Sequence, residues 1–223
     1  KPTMGSLMMA LSTGEAVNPF PTSHKSMSGA SSAPADWYAA NGNKLPNAPG
    51  CANATSINDA IMLKLRIRVP ESAKSFSFNI NFLSVEYPTY VCTKYNDFFV
   101  ALLDSTHTSD NPDLQNPADK NLAMDENGYP VGVNLAKSGL FKVCAVSSTY
   151  PSCAGDGDLA GTGGLQGHGG TGWLVVRGNV VPGEVITLRL ATWDSSDQIW
   201  DSIVLVDNFK WEFEEYKPGT GAE

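Results

Sequence analysis

Two runs in this chain alternate apolar and polar residues with a period of two, and that pattern cannot lie on one face of a helix. In the first, Ile61, Leu63, Leu65, Ile67 and Val69 are separated by Met62, Lys64, Arg66 and Arg68. Successive side chains of a strand point to opposite faces, so the run predicts a strand with one buried side. Pro70 ends it. In the second, Phe76, Phe78, Ile80 and Phe82 alternate with Ser75, Ser77, Asn79 and Asn81. The short polar link Glu71-Ser72-Ala73-Lys74 leads us to expect antiparallel neighbours.

The rest of the chain extends the pattern. A third strand is expected near Asp97–Leu103, others at Trp173–Arg177 and around Ile186, Leu188 and Leu190. In a last one Ile203, Leu205, Phe209, Trp211 and Phe213 share one parity, with Asp207 as the polar intruder. Asp125-Glu126-Asn127-Gly128 carries the Asn-Gly hairpin signal between Asn121–Met124 and Val131–Leu135. Residues 104–121, with two Asn-Pro steps, and the glycine-dense stretch 154–172 are expected as loops. No amphipathic helix and no internal repeat is legible. Residues 1–55 form a loop-rich N-terminal part, pinned to the body through Trp37 and Tyr38. Short strands separated by turn signals predict one all-β domain over residues 1–223: an antiparallel, jelly-roll-like β-sandwich with long loops.

Charge narrows the function. The formal net charge is −8 and no basic run exists, so a phosphate-binding face is not expected and nucleic acid is no partner. No apolar stretch approaches the roughly 18 residues of a membrane-spanning helix. The opening Lys1-Pro2-Thr3-Met4-Gly5 carries no signal peptide, and any export or anchoring signal is expected outside the sequence.

The four cysteines, Cys51, Cys92, Cys144 and Cys153, form no CxxC pair and have no histidine at zinc-finger spacing. Three pairings are possible. The short loop between Cys144 and Cys153 favours closing those two, which leaves Cys51 with Cys92, as suits an extracellular protein. Asn53-Ala54-Thr55 is a formal glycosylation sequon.

No catalytic residue is assigned. His24, His107 and His168 lie in polar or glycine-rich loops. There is no GxSxG elbow and no phosphate-cradling GxxxxGK[ST]. Carboxylates are numerous, but spacing alone pairs none of them for glycoside hydrolysis. They suit Ca²⁺ better, since it takes six to eight oxygen ligands. Three clusters qualify: Glu86 with Asn96-Asp97; Asp156-Gly157-Asp158; and Asp194 to Asp197 with Asp201 and Asp207-Asn208. An ionised Asp207 on the core parity would demand compensation, so the expected ligands are Asp207 with Glu86, Asp97 and Asp201. Trp193 and Trp200 bracket a turn and are expected to be exposed, as a sugar-stacking pair would require.

A set of segments then carries a family likeness. These are Leu11-Ser12-Thr13-Gly14; Ser84-Val85-Glu86-Tyr87-Pro88-Thr89-Tyr90-Val91 with Tyr95-Asn96-Asp97; Gly169-Gly170-Thr171-Gly172-Trp173-Leu174; Pro182-Gly183-Glu184; and Trp193-Asp194 through Asp201 to Phe209. In that order they resemble the choice-of-anchor L domain of bacterial exported proteins, over almost the whole chain. The resemblance implies an extracellular or cell-surface location and supplies no catalytic residues. The expected function is therefore non-catalytic: adhesion or assembly, calcium-stabilised, with other surface proteins, further copies in a filament or matrix, or glycans as partners. A carbohydrate-binding module and a glycoside or other hydrolase are the alternatives.

Overall fold

Both alternating segments are strands, but they lie in different sheets. The computed structural model describes residues 2–15, 29–160, 165 and 167–222. His24 and several of the loop glycines fall outside them. Among the described residues, β1 (Met9–Ser12), β2 (Ala30–Ser31), β3 (Ile57–Arg68), β4 (Ser75–Ser84), β5 (Phe98–Asp104), β6 (Val143–Cys144), β7 (Gly169–Gly170), β8 (Leu174–Asn179), β9 (Val185–Ser195), β10 (Ser202–Glu212) and β11 (Gly219–Ala222) form two sheets. One has the order β2-β3-β9-β5. In the other, β1-β10-β4 continues through β7 to β6 at one end of β4 and through β8 to β11 at the other. Every pairing is antiparallel, and the two sheets make an all-β sandwich.

The link after Pro70 therefore crosses the sandwich instead of closing a hairpin. β3 pairs with β9 and β4 with β10. The reason lies in the apolar rows. Leu63 and Ile67 of β3 and Phe76, Phe78, Ile80 and Phe82 of β4 face each other across one core, joined by Phe99, Ala101, Leu103, Ile186, Leu188, Leu190 and Val204. Burying both rows against each other removes more apolar surface from water than leaving them side by side on one face.

A second cluster covers the outer face of the β3-β9-β5 sheet. The short helix α1 (Ala35–Ala40) places Trp37 against Phe98 and Trp193 of that sheet. The Asn127-Gly128 turn forms, with Gly128 at φ 80°. Its flanks form no named strands but are joined by the isolated bridge Met124 to Pro130 and by backbone bonds from Asp125 to Tyr129 and from Val131 to Ala123, and residues 133–137 wind into a 3-10 turn. Cys51 is bonded to Cys92 and Cys144 to Cys153, the pairing that the short loop favours.

Candidate metal centre

At one end of the sandwich the inward rows stop being apolar. In β9 the row Ile186, Leu188, Leu190 runs on as Thr192 and Asp194. In β5 it runs back from Phe99 to Asp97. In β4 Phe82 is followed by Ser84 and, beyond the strand, Glu86. In β10 Val204 is preceded by Ser202, and in β1 Leu11 is followed by Thr13. Thr13, Ser84, Glu86, Asp97, Asp194 and Ser202 are each no more than 1% exposed. The registers bring them together: Ser202 lies opposite Ser84, Asn58 lies opposite Asp194, and the Thr13 amide donates to the Ser202 carbonyl at 3.1 Å.

Asp97 is the best-held carboxylate of the group. Its Oδ1 accepts the Ser195 amide at 2.8 Å and its Oδ2 accepts the Ser202 hydroxyl at 2.8 Å. Its own amide donates to Glu86 Oε2 at 2.8 Å. The Ser202 hydroxyl also lies 2.9 Å from Ser84 Oγ. Among the described residues no hydrogen bond of good geometry reaches Glu86 Oε1 or either oxygen of Asp194, although the Thr13 and Asp97 side chains lie close enough to Asp194 for looser hydrogen bonds that lower its pKa. Asp201 and Asp59 lie near enough to repel Asp194, and Asp197 near enough to repel Glu86. Gly14 packs directly on Asp201, where a Cβ would fall 2.0 Å from its Oδ2.

Electrostatics follows from this crowding. Burial is the first cause that raises the Glu86 carboxyl, with repulsion from Asp197 and Asp194 adding to it. Burial also raises Asp97, followed by repulsion from Glu86 and Asp194. Asp194 is pushed up to about 8, again first by burial. A buried carboxylate is costly unless a partner offsets its charge. The cluster therefore favours either protons or a cation.

Among the described residues no three His, Cys, Asp or Glu side chains converge tightly enough to hold a metal ion by themselves. An ion here would draw on carboxylates together with hydroxyl and carbonyl oxygens such as those of Thr13, Ser84 and Ser202. Such an all-oxygen set suits Ca²⁺ and is a poor one for Zn²⁺, which prefers nitrogen and sulfur.

Of the four expected ligands, Glu86, Asp97 and Asp201 lie in this cluster and Asp207 does not. A bulge between Asp207 and Lys210, with Asn208 at φ 54°, shifts the register of β10. The inward row thus runs Ser202, Val204, Val206 and resumes with Trp211, while Asp207 faces outward. The Asp207 carboxylate accepts the Thr3 amide at 2.6 Å, the Met4 amide at 3.0 Å and the Asn208 amide at 2.7 Å. These donors, Met4 first, lower its pKa. Asp207 needs no cation; it pins the N-terminal segment to β10. Asp194, expected within the third acidic cluster but not among those four, lies here as well, and its parity with Leu188, Leu190 and Thr192 is the signal that marked it as inward.

The tryptophan pair separates as well. β9 runs on to Ser195, so Trp193 falls on its outer row and is fully buried, its ring 5.6 Å from Trp37 and 4.8 Å from Phe98. Trp200 is 38% exposed beside His168. The two do not form a common platform. Asp156 and Asp158 belong to a separate 3-10 turn over residues 157–159.

A family model described as the choice-of-anchor L domain matches residues 8–210, a span that contains every residue of the carboxylate cluster. No curated protein and no solved structure matches the chain.

Proposed function

Because this chain belongs to the choice-of-anchor L domain family, we propose that it is a non-catalytic adhesion or assembly module whose sandwich is closed at one end by a calcium ion. The family associates it with the bacterial surface, and its two disulfides suit an oxidising exterior. The observation that carries the calcium reading is the set of buried oxygens that no hydrogen bond of good geometry reaches, Glu86 Oε1 and both of Asp194. With Asp97 and Asp201 beside them, these oxygens concentrate negative charge where water does not reach. A hard cation offsets that charge and satisfies the lone pairs together. The same burial argues against hydrolysis, since Glu86, Asp97 and Asp194 are no more than 1% exposed and a sugar ring cannot reach them.

Calcium titration into metal-free protein, followed by calorimetry and thermal melting, tests the reading. Binding to the folded state adds about 2.7 kcal/mol at a hundredfold excess over Kd, so the melting temperature should rise with calcium and fall again with EDTA. A melting curve that ignores both, with no binding heat, would overturn it.

A further inference from the structure

Glu86 and Asp97, two of the carboxylates gathered at the end of the sandwich, are the two feet of one loop. The loop leaves β4 after Ser84, enters β5 at Phe98, and is closed at its base where the Asp97 amide donates to Glu86 Oε2 at 2.8 Å. A covalent tie fastens its crown, since Cys92 is bonded to Cys51, outside the loop. Asparagines interlock around that tie. The Cys92 amide donates to Asn134 Oδ1, and the Asn134 amide donates to Asn96 Oδ1 at 3.0 Å. The side-chain N–H groups of Asn96 and Asn134 both donate to Asn47 Oδ1, and Asn47 in turn donates to the Thr93 carbonyl at 3.3 Å and the Ala52 carbonyl at 2.6 Å. Asn96 and Asn134 are no more than 1% exposed, so a bond broken here is not replaced by one to water and the network holds or fails as a unit. It reaches the carboxylates directly. Asn96 precedes Asp97, and Gly132, two residues before Asn134, packs on Asp97 so closely that a Cβ would fall 2.5 Å from its carbonyl oxygen.

The crown is held against a backbone preference. Cys92 has a left-handed φ of 64°, which a residue with a Cβ adopts only where its surroundings impose it. Here the bond to Cys51 and the Asn134 side chain impose it. Opening the disulfide removes the first of these and lets the Cys92 backbone return to an ordinary conformation, taking its amide away from Asn134. Access also differs between the two ends of the loop: Cys51 and Cys92 are half-exposed, whereas Glu86 and Asp97 are no more than 1% exposed. A reagent in solution therefore reaches the tie without reaching the carboxylates. We propose that the Cys51–Cys92 disulfide, acting through Asn134 and Asn96, positions Glu86 and Asp97 for the cation, so that the site binds calcium tightly only while this disulfide is closed. The reductant that opens it is a dithiol. One of its thiolates attacks a sulfur of the pair to give a mixed disulfide, and its second thiol then displaces the bound sulfur. Cys51 and Cys92 are left as two thiols, reduced by two electrons and two protons, and the dithiol becomes a cyclic disulfide.

The inference rests on the calcium reading proposed above, and two measurements on the full chain keep the two apart. The protein is treated with dithiothreitol until Cys51 and Cys92 alone are reduced, freed of reductant, and compared with untreated and with reoxidised protein; Cys51→Ser/Cys92→Ser serves as the permanent open form. Circular dichroism at the working temperature verifies that each sample is folded. The first measurement is calorimetric titration with calcium chloride. Reduction should weaken binding by about ten- to a hundredfold, the range seen when groups that orient metal ligands are lost, and reoxidation should restore it. The second is amide hydrogen exchange in EDTA. The Asp97 and Ser195 amides, which donate to Glu86 and to Asp97, should lose protection on reduction by a larger factor than those of Leu63 and Leu190, which pair in the middle of the other sheet. Unchanged exchange at Asp97 and Ser195 overturns the positioning whether or not calcium binds, and so does an equal calcium affinity in the open and closed forms. Faster exchange at both amides in a protein that binds no calcium in either form removes the metal reading and upholds the hold of the disulfide on the carboxylates.

Discussion

The Ser202 hydroxyl donates to Asp97 Oδ2 at 2.8 Å, and this bond ties the two sheets together, since Ser202 opens β10 and Asp97 precedes β5. The sandwich is thus joined at one end by polar contacts where elsewhere it is joined by Phe, Leu and Val. A hydrogen bond to a charged group contributes about 1.5–3 kcal/mol, but only while the acceptor's charge is tolerated. The cluster's protonation state therefore bears directly on how well the sheets hold.

The first prediction concerns pH. In the unfolded chain these carboxyls ionise near about 4. In the fold, Asp194 holds its proton up to about 8, and Glu86 and Asp97 are raised as well. Between those values the folded state binds more protons than the unfolded one, so stability falls as pH rises. The contribution is complete below about pH 4 and is lost as pH climbs through the folded value, at about 1.4 kcal/mol per unit for each group. Melting temperatures in EDTA should decline across this window, and saturating calcium should flatten the decline. A flat profile in EDTA would contradict the raised values.

Asp194→Asn should act in opposite directions with and without metal. No hydrogen bond of good geometry reaches either Asp194 oxygen among the described residues, so removing the charge gives up only its loose contacts with Thr13 and Asp97. At pH 8 in EDTA the variant should be more stable than the parent by about 1–3 kcal/mol, the scale of an unsatisfied buried polar group. In calcium it should be the less stable of the two. Urea denaturation under both conditions measures the pair of differences.

The two disulfides should open in order. Cys144 and Cys153 are buried, whereas Cys51 and Cys92 are half-exposed. Mild reductant followed by alkylation and mass spectrometry should label Cys51 and Cys92 first. Their bond also closes the longer loop, 41 residues against 9. On chain-entropy grounds its loss should cost about 4 kcal/mol and that of the other about 2.6 kcal/mol. Single Cys→Ser pairs measured by denaturation check this ranking.

Trp193→Ala should behave as a core deletion. The ring is packed between Trp37 and Phe98, and removing it should cost about 3–5 kcal/mol. Trp200→Ala, at a surface position, should stay within about 0.5 kcal/mol of the parent. Chemical denaturation of the two variants distinguishes these roles.

The strands were readable because their inward rows are long and apolar; β3, β4, β5 and β9 all announce themselves in this way. What the sequence could not show was which sheet each strand joins. Alternation fixes a strand's buried face and says nothing of its neighbour, so β3 and β4 read as a hairpin. Asp207 misled for a related reason. A single residue inserted at a bulge reverses the parity of everything beyond it, and Asn208 gives little warning of one. Glu86, Asp97 and Asp201 were legible as acidic residues near strand ends. Their meeting with Asp194 depends on registers between strands far apart in the chain.

The alternation of successive strands between the sheets carries a consequence for how the molecule comes into being. Phe82 meets Val204, Leu63 meets Leu190, and Ala101 meets Leu190 from the other side. The principal strands of the first half find their partners in the last fifty residues or so, and loop closure on that scale must precede any reward from pairing. A nascent chain therefore has little sheet to build until its C-terminal strands emerge. For an exported surface protein the order of synthesis thus leaves the carboxylate cluster, whose Asp194 and Ser202 lie on β9 and β10, to be assembled last.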